Sequence, residues 1–413
     1  MGNSGRIRTD AYMIPTERPQ GTAVYVQVPF CPERCDFCSI PVSVSQSRIG
    51  DYLEALAREV IRIRPLFSSR PPLSLYVGGG SPTSLPVDDF KRLFDILSTI
   101  FPQGGEITIE SRPEALTEEI VDCLRTLPFL RLSLGVESVD QESLSALGRR
   151  TSPVSPLSLL EDLRRRIAAS LSMDFICTGA DFDPEGFLAM AEELLARGLD
   201  HLSVYPLVIE ERTVLALRKE QGRTEEAMEG EAAENWRKVC IGLVRKGWFR
   251  YEVSNFARDP GSVCRHNLHV WQGGDYLGLG PGAHQRIGSV RYENVRSITD
   301  YVRMSGKENR HPAATREILD PEDADLEYLY TNLRLASGLP VDWLLSRTDT
   351  ERARLAIEEI VRNGLARVSR TESEALVLTG EGLSVLDEIA SRLNALFLES
   401  GEKRRIGNSL SFQ

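Results

Sequence analysis

Residues 25–38 read YVQVPFCPERCDFC, an apolar β-rich run (Ala23 to Val28) that passes through a Pro-Phe step into three cysteines, Cys31, Cys35 and Cys38, spaced C-x3-C-x2-C. Thiolates are the usual ligands of iron–sulfur clusters, and one short loop with these spacings can hold three corners of a four-iron cube and leave the fourth iron open. The alternatives are a zinc knuckle or a set of structural thiols. A structural zinc site takes four ligands, often as two C-x2-C pairs, whereas Cys123, Cys177, Cys240 and Cys264 are scattered singly. Seven cysteines in 413 residues are too few, and odd in number, for a disulfide framework.

Composition sets the outer limits. A chain of 413 residues, 41% hydrophobic and 26% charged, is long enough for one large domain and a smaller one. No apolar run reaches the ~18 residues a membrane helix needs, so neither a membrane span nor a membrane partner is expected. The opening MGNSGRIRTDAYMIPTERPQG lacks the apolar core of a signal peptide, which places the thiols in a reducing, cytoplasmic setting. The formal charge is −11, with no dense Lys/Arg block, so a nucleic-acid partner has no electrostatic support.

Short β-rich runs recur at Ala23–Val28, Leu73–Val77, Glu106–Glu110, Leu130–Gly135, Ser172–Cys177 and His201–Pro206. Between them lie helical patterns such as Tyr52–Ile63, Asp88–Ile100 and Glu185–Ala196. Strand–helix units in series imply an α/β fold with a parallel sheet and right-handed crossovers, and six of them imply a partial (β/α)6 barrel. Ligands of such sheets bind at the carboxyl ends of the strands, where the cysteine loop begins. The expected layout is a polar N-terminal tail over 1–20, the barrel over 21–290, a smaller domain over 291–398 and a disordered tail over 399–413. Within the smaller domain, a short helix (Ser297–Ser305) and a connecting segment (His311–Ile318) precede helices at Pro321–Ala336, Pro340–Ser346 and Thr350–Asn363. A hairpin (Gly364–Leu378) and a last helix (Gly380–Leu396) complete a helical, winged-helix-like C-terminal domain.

Two further features sit at strand ends. Gly78, Gly79 and Gly80 in YVGGGSPTSL allow positive φ and close backbone approach to a ligand, although a tight structural turn explains them equally well. Glu110, in IESRPEAL, is a carboxylate that would need a partner if buried.

With these residues assembled, the chain resembles the HemN-like (oxygen-independent coproporphyrinogen oxidase-like) branch of the radical S-adenosylmethionine (SAM) superfamily. YVQVPFCPERCDFC, YVGGGSPTSL, IESRPEAL, RLSLGVESVDQESLSALGR, DHLSVYPL, YEVSNFA and RHNLHVWQGGDYLGLGPGAH occur in the family's order, from about Tyr25 to His284. The resemblance implies a [4Fe-4S] cluster on Cys31, Cys35 and Cys38, with SAM chelated by the open iron and cleaved to a 5′-deoxyadenosyl radical. It also implies two SAM molecules. Tyr25, Gly78 and Glu110 would serve the first; Gly79, Gly80, Glu137, Arg149 and Asp174 would serve the second. An electron donor such as flavodoxin or ferredoxin would supply the electron.

Departures from the family pattern bear on the choice of activity. Ser39 and Ile40 stand where the oxidases continue with a fourth cysteine, and Gln27 replaces a histidine four positions before Cys31. The chaperones' proposed heme motif, HNxxYW, becomes His266-Asn267-Leu268-His269-Val270-Trp271 and lacks the tyrosine. Glu137 replaces a glutamine, and Thr178, Gly179 and Ala180 replace a Gly-Leu-Pro step. Glu137 and Tyr205 are the candidate proton-transfer groups; the alternative for Glu137 is a solvated surface carboxylate, and for Arg149 a surface arginine. Cys177 and Cys264 read as small buried residues. The expectation from these departures is a class C radical SAM methyltransferase acting on an sp2 carbon of a heteroaromatic natural product, such as a thiazole of a modified peptide. The alternatives are a HemW-like heme chaperone, with His266 or His269 as iron ligand, and a HemN-like cyclopropanase.

Overall fold

The computed structural model describes residues 20–178, 182–222, 227–306, 311–370 and 374–399. The expectations for the two terminal tails and for Gly179 and Ala180 lie outside the described residues. Six strands, β1 (Thr22–Val28), β2 (Ser74–Gly79), β3 (Glu106–Ser111), β4 (Leu130–Glu137), β5 (Ser170–Cys177) and β6 (His201–Pro206), pair in parallel in chain order. Helices Ile49–Ile63, Val87–Leu97, Glu118–Arg125, Pro156–Arg166 and Pro184–Ala196 connect them.

Alternation along the strands separates two environments. Val24, Val26, Leu75, Val77, Ile107, Ile109, Leu132, Leu134, Leu171 and Leu202 are wholly buried in the layer shared with the helices. Their helical partners include Tyr52, Leu53, Leu56, Phe90 and Leu93, which recur every three or four positions. The intervening strand residues are polar and bond to one another across the strands. Tyr76 donates to Glu110, Ser133 to Asp174 and Ser203 to Asn255, while Ser172 shares a hydrogen bond with His201. The barrel is therefore greasy outside its sheet and polar within.

The sheet continues past the six units on both sides. Beyond β6 come β7 (Phe249–Arg250) and β8 (Asn255–Ala257), the latter antiparallel to β6. On the other side β9 (Asp275–Leu279) pairs in parallel with β1, and β10 (His284–Ile287), β11 (Val290–Asn294) and β12 (Ala313–Ile318) follow as an antiparallel meander. The 311–318 stretch, expected to be a connection, is thus largely a strand: it pairs with β11 from Ala313 to Ile318. One compact unit spans Pro19–Asp320, so the step expected at 290/291 falls inside the β10–β11 hairpin. The reason lies partly in Glu59, buried on the first helix. It accepts from Gly280 N–H (3.0 Å), Asn294 Nδ2 (3.2 Å) and Tyr301 Oη (2.5 Å), tying 280–301 to the barrel.

The second unit, from Pro321 on, carries helices Pro321–Leu333, Val341–Leu345, Thr350–Arg362, Gly380–Ser384 and Leu386–Glu399. Strands β13 (Leu339–Pro340), β14 (Ala366–Arg370) and β15 (Glu374–Leu378) form its sheet in the order β13-β15-β14. Helices followed by a small antiparallel hairpin give the winged-helix-like arrangement. The single last helix expected over 380–396 is two, broken at Val385 (φ −125°, ψ 31°).

Candidate functional site at the carboxyl mouth of the barrel

The cysteine loop leaves β1 at the carboxyl end and is held from several sides. Cys31 N–H donates to Ser43 O (3.1 Å), Ser43 N–H to Pro29 O (2.8 Å) and Asp36 N–H to Leu147 O (2.9 Å). Arg112, just past β3, pairs with Glu33 (2.5 Å), and Arg218 with Asp36 (2.5 Å). Gly148, at φ +72°, has no room for a side chain, because a Cβ there would stand 2.2 Å from the Asp36 carboxyl carbon. All seven cysteines are free thiols, and Cys31, Cys35 and Cys38 are half-buried. Burial, then the neighbouring Cys38 and Cys35, pushes the Cys31 thiol up to about 12. Burial pushes Cys35 up to about 11 against the opposing pull of Arg149. Thiols this reluctant to ionise alone ionise outright when a metal takes the lone pair.

Beside that loop, the glycine run packs against the lumen. Glu110 accepts from Tyr76 Oη (2.7 Å) and Gly79 N–H (2.8 Å). A Cβ on Gly78 would lie 2.5 Å from the Glu110 carboxyl, and one on Gly79 (φ +92°) 2.2 Å from the Gln27 amide nitrogen. Sterics thus require glycine at both positions, and the dihedral angle requires it at Gly79 as well. Burial raises the Glu110 pKa above its ordinary value. Tyr25 donates to Gln27 Oε1 (2.7 Å) and its ring lies 5.8 Å from that of Tyr76. Gln27 itself is buried, and its Nε2 has no partner among the described residues. An orphaned buried donor against the glycine run, on the strand that leads into the cysteine loop, is a polar group left for a ligand. In the sequence Gln27 stands out only as the residue in a histidine's place.

Glu137 and Arg149 face the same mouth. Glu137 is a non-glycine residue at φ +63°, a conformation that costs free energy and clusters at functional sites. Its carboxylate pairs with Arg149 at 2.7 Å, and Arg149 also lies 3.7 Å from Glu114. Both side chains are largely buried, so neither is the solvated surface group offered as an alternative. Burial raises Glu137 to about 7, with Arg149 opposing and Asp174 reinforcing the shift. Asp174 accepts from Ser133 (2.9 Å) and Ser172 (3.3 Å), and burial raises its pKa too. Tyr205, at the end of β6, is 41% exposed at the mouth. A Cβ on Gly80 would meet Phe30 O at 2.4 Å, so this glycine packs against the start of the cysteine loop.

The histidine pair lies elsewhere. His266 and His269 sit on helix Arg265–Trp271, at the amino end of the barrel. Glu106, the first residue of β3, accepts from Arg265 N–H (3.1 Å) and His266 N–H (3.2 Å). His266 Nδ1 meets Ser74 Oγ, at the start of β2, at 3.0 Å, and its ring lies 5.0 Å from that of Tyr76. His269 Nε2 meets Asp275 O at 2.9 Å. Burial drives His266 down to about 3, so it stays neutral. From Ser74 to Gly79 the strand rises ~16 Å, and this helix plugs the end opposite the cysteines. Each imidazole is engaged there through one ring nitrogen, and His269 Nδ1 is buried without a hydrogen-bond partner among the described residues.

The residues suit a cluster and SAM. Three half-buried thiols lie on one braced loop, and the orphaned Gln27 donor and a glycine wall stand beside them. Among the described residues no group of three His, Cys, Asp or Glu closes around a single metal ion; a cube with one thiolate per corner spaces its ligands more widely than one tetrahedral ion does.

Comparison with known proteins agrees with this geometry. Residues 25–194 match the radical SAM superfamily. The heme chaperone HemW of Mycobacterium tuberculosis strain H37Rv is 30% identical over 380 residues, covering 91% of this chain and 95% of the relative. The chain belongs to the HemN-like radical SAM family. As a member of it, the chain carries a [4Fe-4S] cluster and SAM as the family's cofactors. Heme chaperone HemW of Bacillus subtilis is 27% identical, covering 77% of this chain and 84% of that protein. The mitochondrial radical S-adenosyl methionine domain-containing protein 1 of Bos taurus is 28% identical, with coverage of 94% and 91%. The fold matches the solved coproporphyrinogen III oxidase HemN of Escherichia coli, with a TM-score of 0.72 at 22% identity over 92% of this chain and 91% of that one. The nearly full-length match to proteins named heme chaperones overturns the methyltransferase expectation, and with it the classification as a methylating enzyme. Among the described residues no helix is long and apolar enough to cross a membrane.

Proposed function

We propose that this chain is a heme-binding radical SAM protein of the HemW kind, and that its cluster and SAM serve heme handling rather than methylation. The observation that carries this reading is the 30% identity across 95% of a protein named heme chaperone HemW. Cys31, Cys35 and Cys38 would hold the cluster. Gly78, Gly79, Gly80, Tyr25 and Glu110 would form the wall against one SAM, with the buried Gln27 amide as a further donor. When bound, cluster and SAM supply one-electron chemistry at the barrel mouth. Flavodoxin or ferredoxin is the class of donor suited to such a cluster.

The chain's own residues divide the remaining work. Arg112 and Arg149 place buried positive charge beside the loop, and Glu33, Glu114 and Glu137 balance it. The Glu137–Arg149 pair and Asp174, which the family resemblance assigns to a second SAM, act in this reading as a buried polar wall beside the loop. Tyr205 is the exposed group at the rim. The test is titration of the anaerobically reconstituted full-length protein with heme. A saturable complex with a displaced Soret band is expected; the absence of saturable binding in both reduced and oxidised protein refutes the reading.

A further inference from the structure

The chain has five histidines, at positions 201, 266, 269, 284 and 311. His201 is buried in the lumen between Ser172 (2.8 Å) and Tyr251 (2.9 Å). His266 and His269 belong to the plug at the amino end. His311 shares a hydrogen bond with Gln285 at 3.0 Å and stacks on Tyr292 at 5.7 Å. His284 differs from all four: its side chain is 64% exposed, and neither ring nitrogen makes a hydrogen bond among the described residues. Nε2 faces Glu293 at 4.0 Å, beyond hydrogen-bond reach.

Its location matters as much as its freedom. His284 follows β9 in the stretch Gly280-Pro281-Gly282-Ala283, and β9 runs parallel to β1, so this stretch leaves the sheet at the same end as the cysteine loop. The two loops touch. Gly282, at φ +72°, would drive a Cβ to 2.7 Å from Pro41 Cγ. Arg296 donates to Ser39 O at 2.8 Å and also lies 3.6 Å from Glu293. Between Ser39 and Pro41 stands Ile40, 36% exposed, with Val44 58% exposed further along the same loop.

We propose that His284 is the protein ligand to the iron of a heme bound on the outer rim of the mouth, over Ile40 and Val44 and with a propionate on Arg296. Each part answers to the chemistry of the ligand. A free imidazole is the commonest protein ligand of heme iron. Exposed aliphatic side chains suit a flat apolar ring, and the part-exposed Arg296 guanidinium supplies a positive charge for a carboxylate. Glu293, 4.0 Å from Nε2, places a negative charge beside the ring that favours donation of electron density to a bound cation. Heme held there lies against the outer side of the cysteine loop, so loss or gain of a cluster would be felt at the heme through Ser39–Pro41.

The inference rests on the heme-binding reading, and its test separates the two. Full-length, anaerobically reconstituted wild type, His284→Ala, His311→Ala and Arg296→Ala are titrated with heme and followed by the Soret and visible bands. His284 is exposed, so its variant should keep the wild-type far-UV circular dichroism. The expected result is a changed Soret position and an affinity lowered at least about tenfold in His284→Ala. Added imidazole should restore the wild-type spectrum in that variant, His311→Ala should match wild type, and Arg296→Ala should weaken binding with no change of band position. A wild-type spectrum in His284→Ala, or a loss confined to His311→Ala, overturns the inference while leaving the heme-binding reading intact. Failure of the wild type to bind heme overturns both.

Discussion

Replacing Glu137 with glutamine should flatten the pH dependence of stability of the cluster-free protein. In the folded chain burial holds this carboxyl at about 7 against its ordinary 4.5. A raised carboxyl pKa means the native state binds the proton more tightly than the unfolded chain. Its stabilisation is therefore fully present below the unfolded value and is lost as pH rises through the folded one. With those two values, the group's contribution falls by about 2.5 kcal/mol between pH 5 and pH 8. Glutamine keeps an acceptor for Arg149 but cannot titrate, so the term disappears. Glu59, Glu110 and Asp174 are also raised by burial and add slopes of the same sign, which is why the difference between the two profiles is the quantity to read. The assay is urea unfolding at intervals from pH 5 to pH 8, followed by tryptophan fluorescence. The wild-type free energy should fall more steeply with pH than that of Glu137→Gln, by on the order of 2 kcal/mol across the range. Parallel profiles would show that Glu137 titrates normally in the native state, and would refute the buried, desolvated placement.

Three other outcomes follow from the same geometry. Gly79→Ala forces a Cβ into the Gln27 amide at φ +92° and should cost about 2–4 kcal/mol of stability in urea melts, with weakened SAM binding in calorimetry of whatever folds. Glu106→Gln removes one of the negative charges that face the buried Arg131 and weakens the bonds to the N–H groups of Arg265 and His266; a loss of about 2–4 kcal/mol is expected, and an unchanged unfolding midpoint would argue against the plug. Cys35→Ser should abolish the cluster's visible absorbance and bring iron content near zero after reconstitution while the far-UV spectrum stays that of wild type. Retention of a full complement of iron would remove Cys35 from the ligand set.

Much of the fold was legible because the strands carry a period-two signal and the helices a period of three to four. Each of the six β-rich runs became a strand within a few residues of its expected ends, since apolar residues on one strand face have only the helical layer to pack against. The same alternation hides the polar lumen, because Ser133, Ser172 and Ser203 look like any solvent-facing positions until the barrel closes around them. β12 was missed for a related reason. Residues 313–318, AATREI, are mostly exposed at the edge of the sheet and have no buried face to impose a pattern. The cysteine loop stands out in the sequence by its spacing taken with the motifs around it, whereas the Glu137–Arg149 pair needed the turn at Glu137 to bring positions 137 and 149 together. His266 and His269 are legible as a motif but not by their place in the fold. Their motif invites a ligand role, but only the fold reveals that Glu106 and Ser74 hold His266, and Asp275 O holds His269, at the amino end of the barrel.

The claim that this chain handles heme is tested most directly by transfer. Full-length protein, reconstituted and loaded with heme, is mixed with an excess of heme-free globin, and the globin Soret band is followed with and without SAM and reductant. The account predicts a stoichiometric complex that passes its heme to the acceptor at a rate that changes when SAM and reductant are present. A protein that takes up no heme, or one whose SAM turnover yields a methylated product instead, would contradict it.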